Sequence, residues 1–366
     1  MSDSMIESSA QRIFSQNVDR ALLERFEKGE RPAALWNLVV DSGFGVALAS
    51  EAAGGIGETW SAAYPILRGL GYWQVPLPLA ETMIGSMLLS MAGIELPEGA
   101  ITLIEQGCDN TLAVSGTTGT LTVSGRANRV AWARDCRWAV LSTSDGRIAL
   151  LDLGDAKTAA ITPRTNHAAE PADDVALNGA VALACAANPL PGLTMPAWTL
   201  GAVARSAMMV GALEFALEQS IQYSIDRVQF GRPIGKNQAI QQQLAVFTGD
   251  VGAARMAALI ACQDAPSSTS TGCDHVAFSA AVAKVRVGES ATRATSIAHQ
   301  VHGAIGFTFE HHLQYATRRL WAWREAYGSD AWWARKLGEG AIVAGSGGLW
   351  HSITQRRFDG APAGAR

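Results

Sequence analysis

The feature that most constrains this chain is a pair of glycine-bearing motifs, about seventy residues apart, in a half that otherwise reads as long helices. The first is Arg227-Val-Gln-Phe-Gly-Arg-Pro-Ile-Gly-Lys-Asn-Gln238 and the second is Gln300-Val-His-Gly-Ala-Ile-Gly-Phe307. Around them the pattern predicts helices from about Leu200 to Arg227, from near Asn237 onward, from about Asp274 to Val301, and from about His311 to Leu337. In the second of these, Ile240, Leu244, Phe247 and Val251 fall on one stripe at spacings of four, three and four. Long helices joined by short loops make an antiparallel four-helix bundle, so both motifs lie at helix ends. Arg227 offers a planar fork of donors to a buried or half-buried anion. Phe230 offers an apolar face, and Gly231 lets the backbone turn where the helix stops. Read from the residues alone, Arg227 equally caps a helix, and Gly303 and Gly306 equally end one.

The remainder divides into zones. Residues 1–97 read as helical, with Ile6, Ile13, Val18, Leu22, Leu23 and Phe26 at helical spacing and further helices at Thr59–Leu70 and Leu79–Ala92. Gly54-Gly55-Ile56-Gly57 reads as a helix-to-helix loop rather than a phosphate cradle, because no strand precedes it. Residues 98–195 hold short β-prone runs such as Thr102–Ile104, Thr120–Val123, Arg129–Trp132, Trp138–Leu141 and Ile148–Leu151, separated by turn residues. They predict a small, mostly antiparallel β domain of barrel or sandwich type. Residues 196–350 form the bundle and 351–366 a tail, of which Phe358–Arg366 is expected to be disordered. A formal net charge of −4 gives no electrostatic reason to bind nucleic acid or an anionic membrane. The polar, acidic N-terminus does not read as a signal peptide, and no apolar run clearly reads as a transmembrane helix. The five cysteines form no Cys-x-x-Cys pair, so neither a metal site nor disulfides are expected, and a cytoplasmic setting is.

The two motifs and the order helical domain, β domain, helical bundle resemble the acyl-CoA dehydrogenases. The resemblance implies a mainly α fold with a central β domain, FAD as cofactor, an acyl-CoA thioester as substrate and an electron-transfer flavoprotein as electron acceptor. It further implies that Arg227, Phe230, Gly231, Gln238, Gln300, Gly303 and Ala304 bind the cofactor, with Arg227, Phe230, Gln300 and the position of Ala304, beside Gly303, facing the ADP half of FAD across a subunit boundary. Ala304 stands where that family has glycine. The family's flavin-ring loop is only echoed by Glu105 and Gly107, and its tryptophan-bearing strand only by Val130-Ala-Trp-Ala-Arg134.

In the same family a Tyr-Glu-Gly-Thr segment follows the second motif, and its glutamate removes the substrate α-proton. Here the matching segment is Ala326-Tyr327-Gly328-Ser329, so a tyrosine holds the base position. A tyrosine with an ordinary pKa of about 10 is a poor base at neutral pH; packing amid Trp321, Trp323, Trp332 and Trp333 is the plainer role. The family's alternative base position falls at about Gly201. On a continuous helix Glu325 and Asp330 would lie about 200° and 300° around from Tyr327, pointing elsewhere. The resemblance is to the glutamate-lacking subunit of bacterial heteromeric enzymes, in which a glutamate-bearing partner completes the site, as a heterotetramer, for a bulky and steroid-derived acyl group. A homomeric flavoenzyme with a different base or chemistry, and a non-catalytic scaffold subunit, are the alternatives.

Overall fold

A computed structural model describes residues 3–357 apart from 109, 118, 269, 270 and 309. The expectation for Phe358–Arg366 therefore lies outside the described residues. The chain opens with α1 (Asp3–Asn17), α2 (Arg20–Glu27), α3 (Ala33–Asp41), α4 (Trp60–Tyr72) and α5 (Leu79–Met91). Polar caps start two of them: Asp19 accepts the Leu22 amide at 2.7 Å and Thr59 accepts the Ala62 amide at 3.2 Å. The glycine-rich break is the loop between α3 and α4, tight enough that a Cβ on Gly55 would overlap the Ala49 carbonyl.

Two four-stranded sheets follow. One has the order β1 (Ile101–Glu105), β4 (Trp138–Ser142), β5 (Arg147–Asp152), β8 (Ala184–Ala187). The other has the order β2 (Thr111–Ser115), β3 (Thr122–Ala131), β7 (Ala172–Val181), β6 (Ala159–Thr162). All pairings are antiparallel except β1 with β4. Ile104, Val123, Leu141, Leu151, Val175 and Leu177 fill the space between the sheets, where alternating strand residues converge. The runs expected as two strands, Thr120–Val123 and Arg129–Trp132, are one strand, β3. Its register against β7 shifts between Ala127 and Val130, with Arg129 at φ 53°. A bulge breaks the two-residue alternation that marks a strand in sequence, so one strand reads as two.

The C-terminal half contains α6 (Pro196–Asp226), α7 (Gln238–Asp264), α8 (Val276–His302), α9 (Leu313–Glu325) and α10 (Asp330–Gln355). The fourth bundle helix expected from about His311 to Leu337 is thus two helices. The chain breaks at residues 326–329, where Tyr327 has φ 54° and Gly328 φ 90°. α10 also runs past residue 350 to Gln355, with a kink at Gly345 (φ 66°). By length and composition α6 and α7 could each cross a membrane. The apolar stretch of α6 is instead wholly buried in the bundle, and that of α7 is 33% buried. The result is a mainly helical chain with a central β region, as the sequence indicates.

Candidate functional site

The two motifs occupy the outer ends of α6 and α8. After Asp226 the chain forms a tight hairpin of β9 (Val228–Gln229) and β10 (Arg232–Pro233), closed by the Ile234 amide donating to the Arg227 carbonyl at 2.9 Å. Its two central residues, Phe230 (φ 52°) and Gly231 (φ 79°), are both left-handed, as a two-residue hairpin of this kind requires. Glycine takes that conformation freely; phenylalanine does so at a cost. The Phe230 ring is 101% exposed, so nothing within the protomer repays that cost. Arg227 and Gln238, the first residue of α7, are exposed as well.

The second motif ends α8. Gln300 is exposed, and Gly303 turns the chain at φ 61°, ψ −143°, with nothing within 4 Å of where a Cβ would stand. Gln300, Gly303 and Ala304 share one open hollow of about 720 Å3 with His299, Phe307 and Trp321. Arg227, Phe230, Gly231 and Gln238 do not line it. The two groups are nonetheless tied together from beneath. Tyr223, one turn before Arg227, stacks on His302, one residue before Gly303, with ring centroids 4.6 Å apart. His302 Nδ1 donates to the Ala298 carbonyl at 2.8 Å, and His311 packs edge-on at 4.7 Å. Burial lowers the His302 pKa to about 4, so this joint is uncharged at neutral pH.

The base-position loop is built oppositely. Tyr327 projects inward from the break between α9 and α10. Its ring lies on α6 so closely that a Cβ on Gly201 would come within 2.5 Å of it. The two positions to which the resemblance assigns the base are therefore in contact here, and neither holds a carboxylate. The Tyr327 hydroxyl donates to Glu81 Oε1 at 3.2 Å, and the same oxygen is bound by the Arg205 guanidinium. Glu81 and Arg205 are 1% and 3% exposed, a buried ion pair bridging α5 and α6. The guanidinium also lies 5.5 Å from the Tyr327 ring centroid. Burial, followed by the Glu81 charge, holds the phenol pKa far above its ordinary value, so Tyr327 stays protonated. Around it, Trp333 Nε1 donates to the Tyr327 carbonyl at 2.9 Å and the Trp198 ring packs edge-on at 6.0 Å.

Of the four tryptophans expected around Tyr327, Trp332 and Trp333 belong to this cluster. Trp321 is 40% exposed, and Trp323 is bound elsewhere, donating from Nε1 to Glu170 at 2.8 Å. The helical angles assigned to Glu325 and Asp330 do not apply, because residues 326–329 are not helical. Asp330 instead pairs with Arg324 at 2.9 Å. The inward charges Glu81, Arg205 and Lys284 were not singled out from sequence. The available signal is a lone charge inside an apolar run, such as Ala281-Val-Ala-Lys-Val285, since such charges are rarely buried without partners.

Between the β region and the bundle, beside Tyr327, lies a cavity of about 410 Å3. Its walls include Leu103, Glu105, Val130, Trp132, Trp198 and Trp323. At the end of β1 and in the loop after it, the side chains of Glu105, Gln106 and Asn110 are bonded within the chain. Glu105 accepts the Trp198 amide at 3.2 Å, closing the N-terminal end of α6, which has no side-chain cap of its own. Burial raises the Glu105 pKa to about 8, against the pull of Ser142 and the α6 amides. Gln106 binds the Leu112 carbonyl (3.1 Å) and the Ser144 amide (2.9 Å), and Asn110 binds the Glu105 carbonyl (2.7 Å).

Residues 192–341 match the acyl-CoA dehydrogenase, C-terminal domain, family. Acyl-CoA dehydrogenase IpdE2 of Mycobacterium tuberculosis is 27% identical over 294 residues, covering 78% of this chain and 80% of that protein. One chain of the ChsE4–ChsE5 complex from Mycobacterium tuberculosis superposes with TM-score 0.80 at 22% identity, over 92% of this chain and 96% of its own. The Tcur3481–Tcur3483 steroid ACAD gives 0.81 at 22% identity, over 93% and 97%. Residues 192–341 thus match the C-terminal domain of the acyl-CoA dehydrogenases, and the chain shares the fold of its structural neighbours over 92% of its length.

Proposed function

We propose that this chain is the subunit of a heteromeric acyl-CoA dehydrogenase that supplies FAD-binding surface while a partner subunit supplies the catalytic glutamate. The observation that carries the reading is the Tyr327–Gly201 contact, which leaves both base positions without a carboxylate and fills the space between them. The outer motifs fit the ADP half of FAD. Arg227 presents an exposed guanidinium for the pyrophosphate, and Gly303 leaves its backbone open to close approach. The methyl of Ala304 lies in the open hollow. Gln300 adds an amide beside them, and Phe230 an apolar face that meets nothing in its own protomer. FAD, when bound, supplies the hydride acceptor for α,β-dehydrogenation of an acyl-CoA thioester. This chain's residues orient the cofactor; the α-proton leaves to the partner's glutamate, and electrons pass on to an electron-transfer flavoprotein. Likeness to a steroid ACAD and to the ChsE4–ChsE5 complex supports a bulky, steroid-derived acyl group and a hetero-oligomer; a heterotetramer in the cytoplasm belongs to the same proposal.

The cavity of about 410 Å3 favours a second reading, a homomeric flavoenzyme that seats the flavin ring there and uses a different base. Against it stand the side chains of Glu105, Gln106 and Asn110 at the end of β1 and in the loop after it, which are already occupied. The two readings separate on cofactor content. Purified alone, the chain is expected to be colourless or weakly flavinylated; co-purified with a glutamate-bearing partner, the pair is expected to carry about one FAD. A yellow homo-oligomer with full FAD occupancy would sink the heteromer.

A further inference from the structure

Lys284 lies in the first half of α8 and is 2% exposed. An ammonium group inside a protein is strongly disfavoured unless its three donors find acceptors. Lys284 finds three, all main-chain carbonyls at the end of one helix: Trp323 at 3.1 Å, Arg324 at 2.9 Å and Ala326 at 2.8 Å. A helix leaves its last four carbonyls without intrahelical partners, and its C-terminal end is the negative pole of its dipole. Helices commonly close that end with a left-handed glycine whose amide turns back onto the last turn. α9 has no such closure: Ala326 caps it in an extended conformation (φ −69°, ψ 136°) with no amide turned back onto the last turn, and the left-handed residues, Tyr327 and Gly328, come only after it. The lysine takes the place of the missing closure. Burial and the nearby Arg205 guanidinium pull its pKa down to about 7.

We infer that Lys284 is the positioning residue for the loop at 326–329, fixing through the α9 carbonyls where the side chain at position 327 lies. The Ala326 carbonyl belongs to the peptide that leads into Tyr327. Holding it sets the direction in which the chain leaves α9 and brings the Tyr327 ring down on Gly201. The contact is to main chain only, so it places whatever residue stands at 327. This inference rests on the loop's geometry and not on the proposed function, and it fails or survives independently of what the chain binds.

The chain has five tyrosines, which makes position 327 separately visible. In protein labelled with 3-fluorotyrosine, the fluorine resonance of Tyr327 is assigned by its loss in Tyr327→Phe. Lys284→Met is expected to shift or broaden that resonance while the other four stay in place. Amide exchange at 326–331 should accelerate roughly ten- to hundredfold, the loss of a hydrogen bond to a charged group. Lys284→Gln keeps an amide donor and is expected to fall between the two; it carries the test if Lys284→Met does not fold. An unmoved Tyr327 resonance in a folded variant would overturn the inference. So would equal shifts at all five tyrosines, which would mean that Lys284 supports the bundle as a whole.

Discussion

The outer motif face and the base-position loop are built from the same kinds of residue and treat them in opposite ways. On the outer face Arg227 and Phe230 have their side chains in solvent, and the turn holds a left-handed phenylalanine that gains nothing from its own protomer. Beneath the loop, Arg205 and Glu81 are buried, and the Arg205 guanidinium and the Tyr327 hydroxyl both meet one Glu81 oxygen. An arginine left in water keeps its full hydration and its donors for a ligand. An arginine taken out of water needs its partner permanently. The first arrangement suits a surface completed by another molecule, the second a contact made within the chain.

That contrast can be broken by substitution. Arg205→Met should have the largest effect, because it strands the Glu81 carboxylate in the interior. A loss of about 3–5 kcal/mol in denaturant unfolding is expected. A loss below about 1 kcal/mol would mean that water reaches the pair and the loop is open.

Arg227→Ala should do the reverse, leaving the unfolding of the isolated chain unchanged. In the assembled complex it should weaken FAD by about 1.5–3 kcal/mol, the worth of a charge-assisted hydrogen bond, as read by cofactor titration. Unchanged FAD affinity would reduce Arg227 to a helix-end residue. Gly201→Ala sharpens the closed side of the comparison. The added methyl meets the Tyr327 ring, and overpacking of this kind costs about 1–3 kcal/mol. The double variant Gly201→Ala/Tyr327→Ala should recover much of that particular cost, since the clash is then gone. Additive losses would show that the ring and Gly201 are not in contact.

Much of this was legible in sequence, for identifiable reasons. The bundle helices are long and periodic, and the outer motifs announce themselves because turn chemistry is local: Gly231 marks a turn after the first bundle helix and Gly303 the end of the third, while the two-residue hairpin itself was not read from the sequence. The break at 326–329 was not visible. Trp321 to Leu337 keeps a helix-like mixture, and what ends α9 is a lysine some forty residues earlier in the chain. The Glu81–Arg205 pair was hidden for the same reason, since each residue reads as a lone charge until the fold brings α5 against α6. The bulge in β3 hid a continuous strand. Local signals carried the exposed face, and long-range contacts built the closed one.

Turnover of the assembled enzyme with Tyr327→Phe in this subunit tests the central claim most directly. If the proton is taken by the partner, the hydroxyl at 327 does nothing beyond its hydrogen bond to Glu81. Its loss should cost about 1 kcal/mol of stability or less and leave steady-state turnover with a dye acceptor nearly intact. A general base contributes roughly a hundredfold or more in rate. A fall of that size, with fold and FAD content preserved, would place the proton transfer at Tyr327 and contradict the account.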